Sequence, residues 1–284
     1  MIQILLSRWR QGYRTLPYPR SLPALPPRLR GLPSVQEGVC PPHCRSCVEA
    51  CPTQAIGRGA LAMPGHHLGS TGGTQSELCG RAVPFVQGSE PGPRFDLGRC
   101  LFCLDCTESC PQGAIHFSPD HRLATRNRED LELGGDEGLQ LAEALKGELL
   151  KTFGESLKLR VVSAGGCNGC EVDVNVLGTL AWDLGRFGIQ FVASPRHADG
   201  MLLCGPVTTN MELAVRKTYD AIPDPKLVIA VGACAISGGP YRHQAEQLGG
   251  AGSVVPVDLF VPGCPPHPIT ILDGLLRLMG KMKN

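Results

Sequence analysis

Fourteen cysteines in 284 residues constrain this chain more than any other feature, because twelve of them fall into sets with a regular placement. Cys40, Cys44, Cys47 and Cys51 are followed by Pro52, and Cys100, Cys103, Cys106 and Cys110 by Pro111. Each of these sets ends in nearly the same hexapeptide, CPTQAI and CPQGAI, which makes the segment an internal repeat. Cys167, Cys170, Cys234 and Cys264 lie further on, each just after a short apolar run. No apolar run reaches the ~18–20 residues of a membrane span, and the start MIQILLSRWRQGY lacks a signal-peptide core and cleavage site. A cytoplasmic chain is the expectation. There thiols stay reduced and many cysteines point to metal rather than to disulfides.

Length and composition leave room for two modest domains, with 42% apolar residues to pack them. Gly (36) and Pro (25) together stay below the ~25–30% at which disorder is the default. The 27 basic and 26 acidic residues leave a formal charge of +1, so the global basic field of a nucleic-acid binder is missing and no nucleic-acid partner is expected.

Four segments follow along the chain. Residues 1–36 hold six arginines (Arg8, Arg10, Arg14, Arg20, Arg28, Arg30) and no acid. Ile2, Leu5, Trp9 and Tyr13 recur there at helical steps, which predicts a basic amphipathic helix. The prolines of LPYPRSLPALPPRLRGLP then suit an extended strap over another surface, a membrane or a partner subunit. Residues 37–118 hold nine cysteines and little periodicity, as expected of a small domain with an inorganic core. Residues 119–157 are charged and end in the stripe Leu139, Ala142, Leu145, Leu149 and Phe153, which predicts a linker helix. Over 158–284 the short apolar runs RVVSA, IQFVAS, DGMLLCG, KLVIAVG and DLFVPG alternate with helical stretches such as NMELAVRKTYDAI and PITILDGLLRLMGK. That alternation predicts an α/β domain, a flavodoxin-like parallel sheet with helices on both faces.

The Cys100–Cys110 motif has the two-two-three spacing of bacterial ferredoxins, in which three thiolates hold one cubane cluster and the fourth cysteine ligates the other. The upstream copy matches except for three residues instead of two in its first gap. This predicts a small α+β bacterial-ferredoxin-like domain with one 4Fe-4S cluster on Cys40, Cys44, Cys47 and Cys110. A second cluster falls to Cys51, Cys100, Cys103 and Cys106. Zinc is the competing reading of paired cysteines, but two quadruplets each followed by proline favour clusters. Cys79, in the 48 residues between the motifs, reads as a spare thiol, and His66 and His67 as loop residues.

In the C-terminal part, GGCNGCE follows directly on RVVSA, where open parallel sheets place their ligands. Cys234 in VIAVGACAISGG and Cys264 in DLFVPGCPPHP occupy equivalent strand ends. Cys167, Cys170, Cys234 and Cys264 are therefore expected to converge on a third cluster, beside glycines that let the backbone approach. Cys204, inside MLLCG, reads as a buried small hydrophobe. Glu171, Arg196 and His197 are polar groups expected near this cluster or at a subunit interface, where they would bond structurally, tune potential or relay protons. A nucleophile with its base, a Walker loop and a dinucleotide fingerprint are all missing, so no catalytic centre is expected in this chain.

The motifs GGCNGCE, SPRHAD, DPKLVIAVGACAISGG and VPVDLFVPGCPPHP resemble the small subunit of group 4 nickel-iron hydrogenases, the formate hydrogenlyase group related to complex I, over roughly residues 155–283. The N-terminal part, with YPR, LRG, both cysteine motifs and HRLATRNREDL, looks like the polyferredoxin-type subunit of the same complexes. That resemblance implies a fusion of two electron-transfer subunits with three 4Fe-4S clusters, the one on Cys167, Cys170, Cys234 and Cys264 being proximal. It also implies a nickel-iron centre in a partner large subunit, integral membrane antiporter-like or complex I-like subunits, and a formate dehydrogenase or ferredoxin as electron donor or acceptor. The expected place is peripheral, on the cytoplasmic face of the cell membrane. The spacing CxxCE from Cys167 to Glu171 resembles the hydrogenases rather than the quinone-reducing relatives with CCxxE. A complex I-like oxidoreductase without nickel is the alternative, and a cluster carrier acting alone is a second.

Overall fold

The computed structural model describes residues 2–36, 38–41, 43–58, 92–134 and 138–282. The cysteine-rich part is made of very short elements. Strands β1 (Pro33–Val35), β2 (Ile56–Arg58), β3 (Pro93–Asp96), β4 (Ile115–Phe117) and β5 (Glu132–Leu133) surround helices α2 (Ser46–Ala50) and α3 (Asp105–Glu108). β1 pairs antiparallel with β4, and β2 with β3, which also pairs with β5. The repeat seen in the sequence is also a repeat of structure. α2 leads through Cys51 to β2 as α3 leads through Cys110 to β4, and the turn between requires a left-handed residue, Gln54 (φ 53°) in one half and Gly113 (φ 59°) in the other.

The C-terminal part is a five-stranded parallel sheet of β6 (Leu157–Ser163), β7 (Ile189–Phe191), β8 (Gly200–Cys204), β9 (Leu227–Val231) and β10 (Leu259–Val261). Its order, β7-β6-β8-β9-β10, is the doubly wound 2-1-3-4-5 arrangement of the flavodoxin-like fold. β8 and β9 are buried at every position, as continuous apolar runs in a covered parallel sheet should be. Helices α5 (Gly169–Val176), α6 (Thr209–Ala221), α7 (Ala233–Ser237) and α8 (Pro268–Leu278) connect or flank the strands. α8 is buried along its whole length, because the sheet covers one side and chain from outside the domain covers the other.

That covering chain comes from two segments. Leu16 N–H donates to Ala181 O at 2.7 Å, and Arg186 Nη2 donates to the carbonyls of Leu16 and Tyr18, so the proline-rich strap lies on this chain's own C-terminal part. Tyr18 Oη donates to Asp273 Oδ1 of α8 at 2.7 Å and lies 3.2 Å from His121 Nε2, while Arg277 Nε pairs with Asp273 Oδ2 at 2.7 Å. Helix α1 (Ile2–Gln11) stands clear, with Ile2, Leu5, Leu6 and Trp9 all exposed.

The expected helix over the end of residues 119–157 is shorter than its apolar stripe. Only α4 (Gly147–Phe153) is helical. Upstream of it Ala142 N–H donates to Ala124 O and Leu145 N–H to Leu278 O, so neighbouring chain takes the amides a helix would use. Earlier in that segment β5 extends the sheet of β3, and Thr125 exchanges backbone bonds of 3.0 and 2.9 Å with Phe260, covering the open edge of β10. The segment therefore stitches the two parts together. One contiguous apolar cluster runs from Ile56, Phe95 and Leu97 to Leu203, Ala230 and Ile236.

Candidate metal centres

The first group of thiols forms where the two halves of the repeat meet. Cys47, on α2, and Cys110, just after α3, line one cavity with Cys40 and Cys44. Burial pushes the Cys47 thiol up to about 11, and the charges of Cys40, Cys106, Cys44 and Cys110 push the same way. Cys44 is held below the ordinary thiol value by its bonds to Ser46.

The second group consists of Cys100, Cys103, Cys106 and Cys51. Burial raises the Cys100 thiol, and the charges of Cys51, Cys106 and Cys103 add to it. Its loop is held tightly, with Phe102 (φ 54°) and Leu104 (φ 79°) both in the left-handed region. Such backbone in residues other than glycine persists only where the surroundings impose it, commonly at functional sites. The two groups are dressed alike. Ala55 N–H donates to Cys51 Sγ at 3.2 Å, and Ala114 N–H, at the matching position, to Cys110 Sγ at 3.3 Å.

The third group sits at the carboxyl edge of the parallel sheet. Cys167 and Cys170 follow β6, Cys234 lies on α7 directly after β9, and Cys264 follows β10. Burial pushes the Cys234 thiol up to about 12, helped by the charges of Cys264 and Cys167. Burial also raises Cys170, and Cys234, Glu171, Cys264 and Cys167 act on it in the same direction. Two glycines make the room. A Cβ on Gly232 (φ 90°) would come within 2.5 Å of Cys170 Sγ, and one on Gly239 (φ 53°) within 2.8 Å of Cys234 Sγ.

The first two donor sets have the surroundings of clusters rather than of single ions, and the glycines beside the third leave its sulfurs room. Tetrahedral zinc at ~2.3 Å from each sulfur would draw four sulfurs to within about 3.8 Å of one another. Among the described residues, no three Cys, His, Asp or Glu side chains gather closely enough to hold one ion. Four thiols facing one cavity, as in the first group, and backbone N–H donors aimed at Cys51, Cys100 and Cys110 suit a larger inorganic group.

The second and third groups are neighbours. Cys264 lies within electrostatic reach of Cys103, and Cys264, Phe102, Arg30, His121 and His267 line the groove between them. Arg30 Nη1 donates to the carbonyls of Phe102 at 2.7 Å and Cys103 at 3.2 Å. Arg242, on the loop after Cys234, donates to Thr53 O at 2.7 Å, two residues past Cys51. Arg30 stands in the LRG segment that the sequence singles out, but nothing there pointed to the Cys103 loop as its partner, and Arg242 belongs to no motif.

Glu171 is 7% exposed, with Oε1 buried and lacking a hydrogen-bond partner, and its charge acts on Cys170, Cys234 and Cys204. Cys204 is fully buried inside β8, where burial raises its thiol. The expectation that Arg196 and His197 lie near the third cluster is corrected, whereas an interface role stays open to them. Both are exposed on a turn between Val192, whose N–H donates to Leu159 O, and Asp199, whose N–H donates to Lys158 O. That ties the turn to the start of β6, four residues from Ser163, or about 13 Å along the strand from the cysteine edge. Closeness in sequence to a strand does not say which end of it a loop joins. Cys79, His66 and His67 lie outside the described residues.

Two family models match this chain. Residues 167–278 match the NADH ubiquinone oxidoreductase 20 kDa subunit, and residues 39–114 match the 4Fe-4S dicluster domain. The chain is 41% identical to the probable membrane-bound hydrogenase subunit mbhJ of Pyrococcus furiosus, over 48% of this chain and 81% of that protein. It is 40% identical to formate hydrogenlyase subunit 7 of Escherichia coli over 50% of this chain and 55% of that protein. An NADH-quinone oxidoreductase subunit of Bacteroides thetaiotaomicron is 42% identical, over 40% of this chain and 58% of that protein. The chain thus spans little more than half the length of the latter two. With 41% identity across four-fifths of a relative, and the sheet-edge cysteines inside the matched span, this chain belongs to the NADH ubiquinone oxidoreductase 20 kDa subunit family and carries a 4Fe-4S dicluster domain ahead of it.

Proposed function

We propose that this chain is the electron-transfer subunit of a membrane-associated group 4 nickel-iron hydrogenase complex and holds three 4Fe-4S clusters in a row. Cys40, Cys44, Cys47 and Cys110 hold the first, Cys51, Cys100, Cys103 and Cys106 the second, and Cys167, Cys170, Cys234 and Cys264 the third. Each cluster, when bound, takes up and returns one electron at a potential set by charge, burial and hydrogen bonds. The observation that carries the reading is that Cys264 and Phe102, the neighbour of Cys103, line one groove, reinforced by the Arg242 bond to Thr53. It makes the two parts of the chain a continuous path rather than two separate carriers.

The chain's own residues hold that path in place. Arg30 fixes the loop of Cys103, Gly232 and Gly239 admit the sulfurs of Cys170 and Cys234, and the Tyr18–Asp273 bond ties the strap over both parts. The exposed thiols Cys167 and Cys264 present the third group to a large subunit with a nickel-iron centre. Formate dehydrogenase or a ferredoxin exchanges electrons at the other end. No helix among the described residues is long and apolar enough to cross a membrane. Instead, α1 offers Ile2, Leu5 and Trp9 beside Arg8 and Arg10 to an integral membrane subunit or an anionic lipid surface on the cytoplasmic side.

The CxxCE spacing from Cys167 to Glu171 supports hydrogenase over a quinone-reducing complex. Anaerobic purification through a tag on this chain, with metal analysis, tests the choice. About twelve irons per chain together with one nickel per complex are expected, at four irons per cluster, and Cys234→Ala should remove one cluster signal and hydrogen activity together. Iron without nickel would replace the hydrogenase by the complex I-like oxidoreductase, and retained activity in Cys234→Ala would overturn the third ligand set.

A further inference from the structure

The two halves of the cysteine-rich part are near repeats, so their differences can be read against one another. In the second half the backbone N–H of Phe102 donates to Cys100 Sγ at 3.3 Å. The first half cannot make that bond, because Cys40 is followed by Pro41 and Pro42, and proline has no N–H. A side chain supplies the donor instead. Arg58, the last residue of β2, donates through Nη2 to Cys40 Sγ at 2.8 Å and to Pro41 O at 3.0 Å. The same guanidinium charge acts on Cys44.

The matching position of the second half is also changed. Arg58 stands seven residues after Cys51, and Phe117, the last residue of β4, stands seven after Cys110. Phe117 packs edge-on against Phe102, with ring centroids 6.0 Å apart. One half therefore combines a backbone amide with an aromatic contact. The other combines two prolines with a guanidinium, and the exchange occurs at both positions together.

We propose that Arg58 is a positioning residue that replaces the missing amide at Cys40, and that its charge raises the potential of the cluster held by Cys40, Cys44, Cys47 and Cys110. The inference rests on that ligand set. Reduction adds one electron to a cluster of thiolate-bound iron without making or breaking a bond, so the negative charge of the site grows by one. A fixed cation at hydrogen-bonding distance stabilises the more negative state more strongly, whereas a neutral amide supplies only a dipole.

The test is a reductive titration followed by electron paramagnetic resonance on the full chain, purified anaerobically, as wild type and as Arg58→Lys, Arg58→Gln and Arg58→Met. One midpoint should move to more negative potential in Arg58→Gln and further in Arg58→Met, and stay near wild type in Arg58→Lys. The other two midpoints should not move, and the signal that shifts should be the one lost in Cys40→Ala. If Arg58→Met fails to load iron, Arg58→Gln still decides, because it keeps a neutral donor. The inference is overturned if Arg58→Gln holds the wild-type iron content with no midpoint shifted, or if Arg58→Lys shifts as far as Arg58→Gln. A wild-type chain without three cluster signals would instead overturn the ligand assignment itself.

Discussion

The two parts of this molecule build their cores from different material. In the N-terminal part Cys47, Cys100 and Cys106 are themselves buried core residues, among strands of two to four residues. In the C-terminal part Cys204 and Cys234 are buried as well, but the core is carried by Leu, Val, Ile and Met from strands of up to seven residues, and Cys167, Cys170 and Cys264 sit at its edge. The difference separates what is needed to fold from what is needed to hold metal. A sheet such as β6–β10 stays together by burying apolar surface, while strands as short as β1–β5 are below the length that is stable unaided. On the proposed ligand sets, the N-terminal part is expected to depend on its inorganic filling and the C-terminal part only to display it.

Removing iron is the strongest way to break this comparison. Anaerobic chelation should bring β1–β5 to nearly full deuterium uptake while β6, β8 and β9 keep their protection, read peptide by peptide in hydrogen exchange. Loss of protection in both parts at once would show that the shared apolar cluster, and not the metal, carries the N-terminal fold.

The strap sharpens the comparison at an intermediate scale, since Tyr18 binds it to α8 and His121 together. Tyr18→Phe should cost about 1–3 kcal/mol, because Asp273 loses a buried donor. Chemical denaturation would measure the loss, and limited proteolysis should show earlier cleavage between residues 12 and 32. An unchanged cleavage pattern would leave the strap held by its backbone bonds alone.

The smallest effect expected is that of pH. Burial holds His121 and His267 below the ordinary imidazole value. The fold therefore favours their neutral forms, and the unfolded chain takes up the protons first as pH falls. Their contribution is intact above about 6.5 and declines below it, so the melting temperature should drop modestly from pH 7 to 5. His121→Gln should flatten that slope, and an equal slope in the variant would place the sensitivity elsewhere.

Much of this was legible beforehand because ligand spacing and apolar periodicity are local properties. The repeat CPTQAI and CPQGAI announced two matching half-sites, and the five apolar runs announced the parallel sheet, with its cysteines at the carboxyl ends of β6, β9 and β10. Long-range partners could not be read in that way. The stripe from Leu139 to Phe153 predicts a helix, yet Ala124 and Leu278 take its amides, and SPRHAD joins the start of β6 rather than the end that bears the thiols.

By itself, then, the sequence determined which thiols exist, how they are spaced and what sheet presents them, since each of these follows from neighbours along the chain. Only the tertiary structure decided what surrounds the thiols. Arg58 reaches Cys40 from eighteen residues away, Arg30 reaches the Cys103 loop from seventy-three, and Tyr18 reaches Asp273 from 255. Even where such a residue stands in a recognisable segment, as Tyr18 does in YPR and Arg30 in LRG, its partner has no period and no motif, because it is fixed by which surfaces meet when the two parts pack.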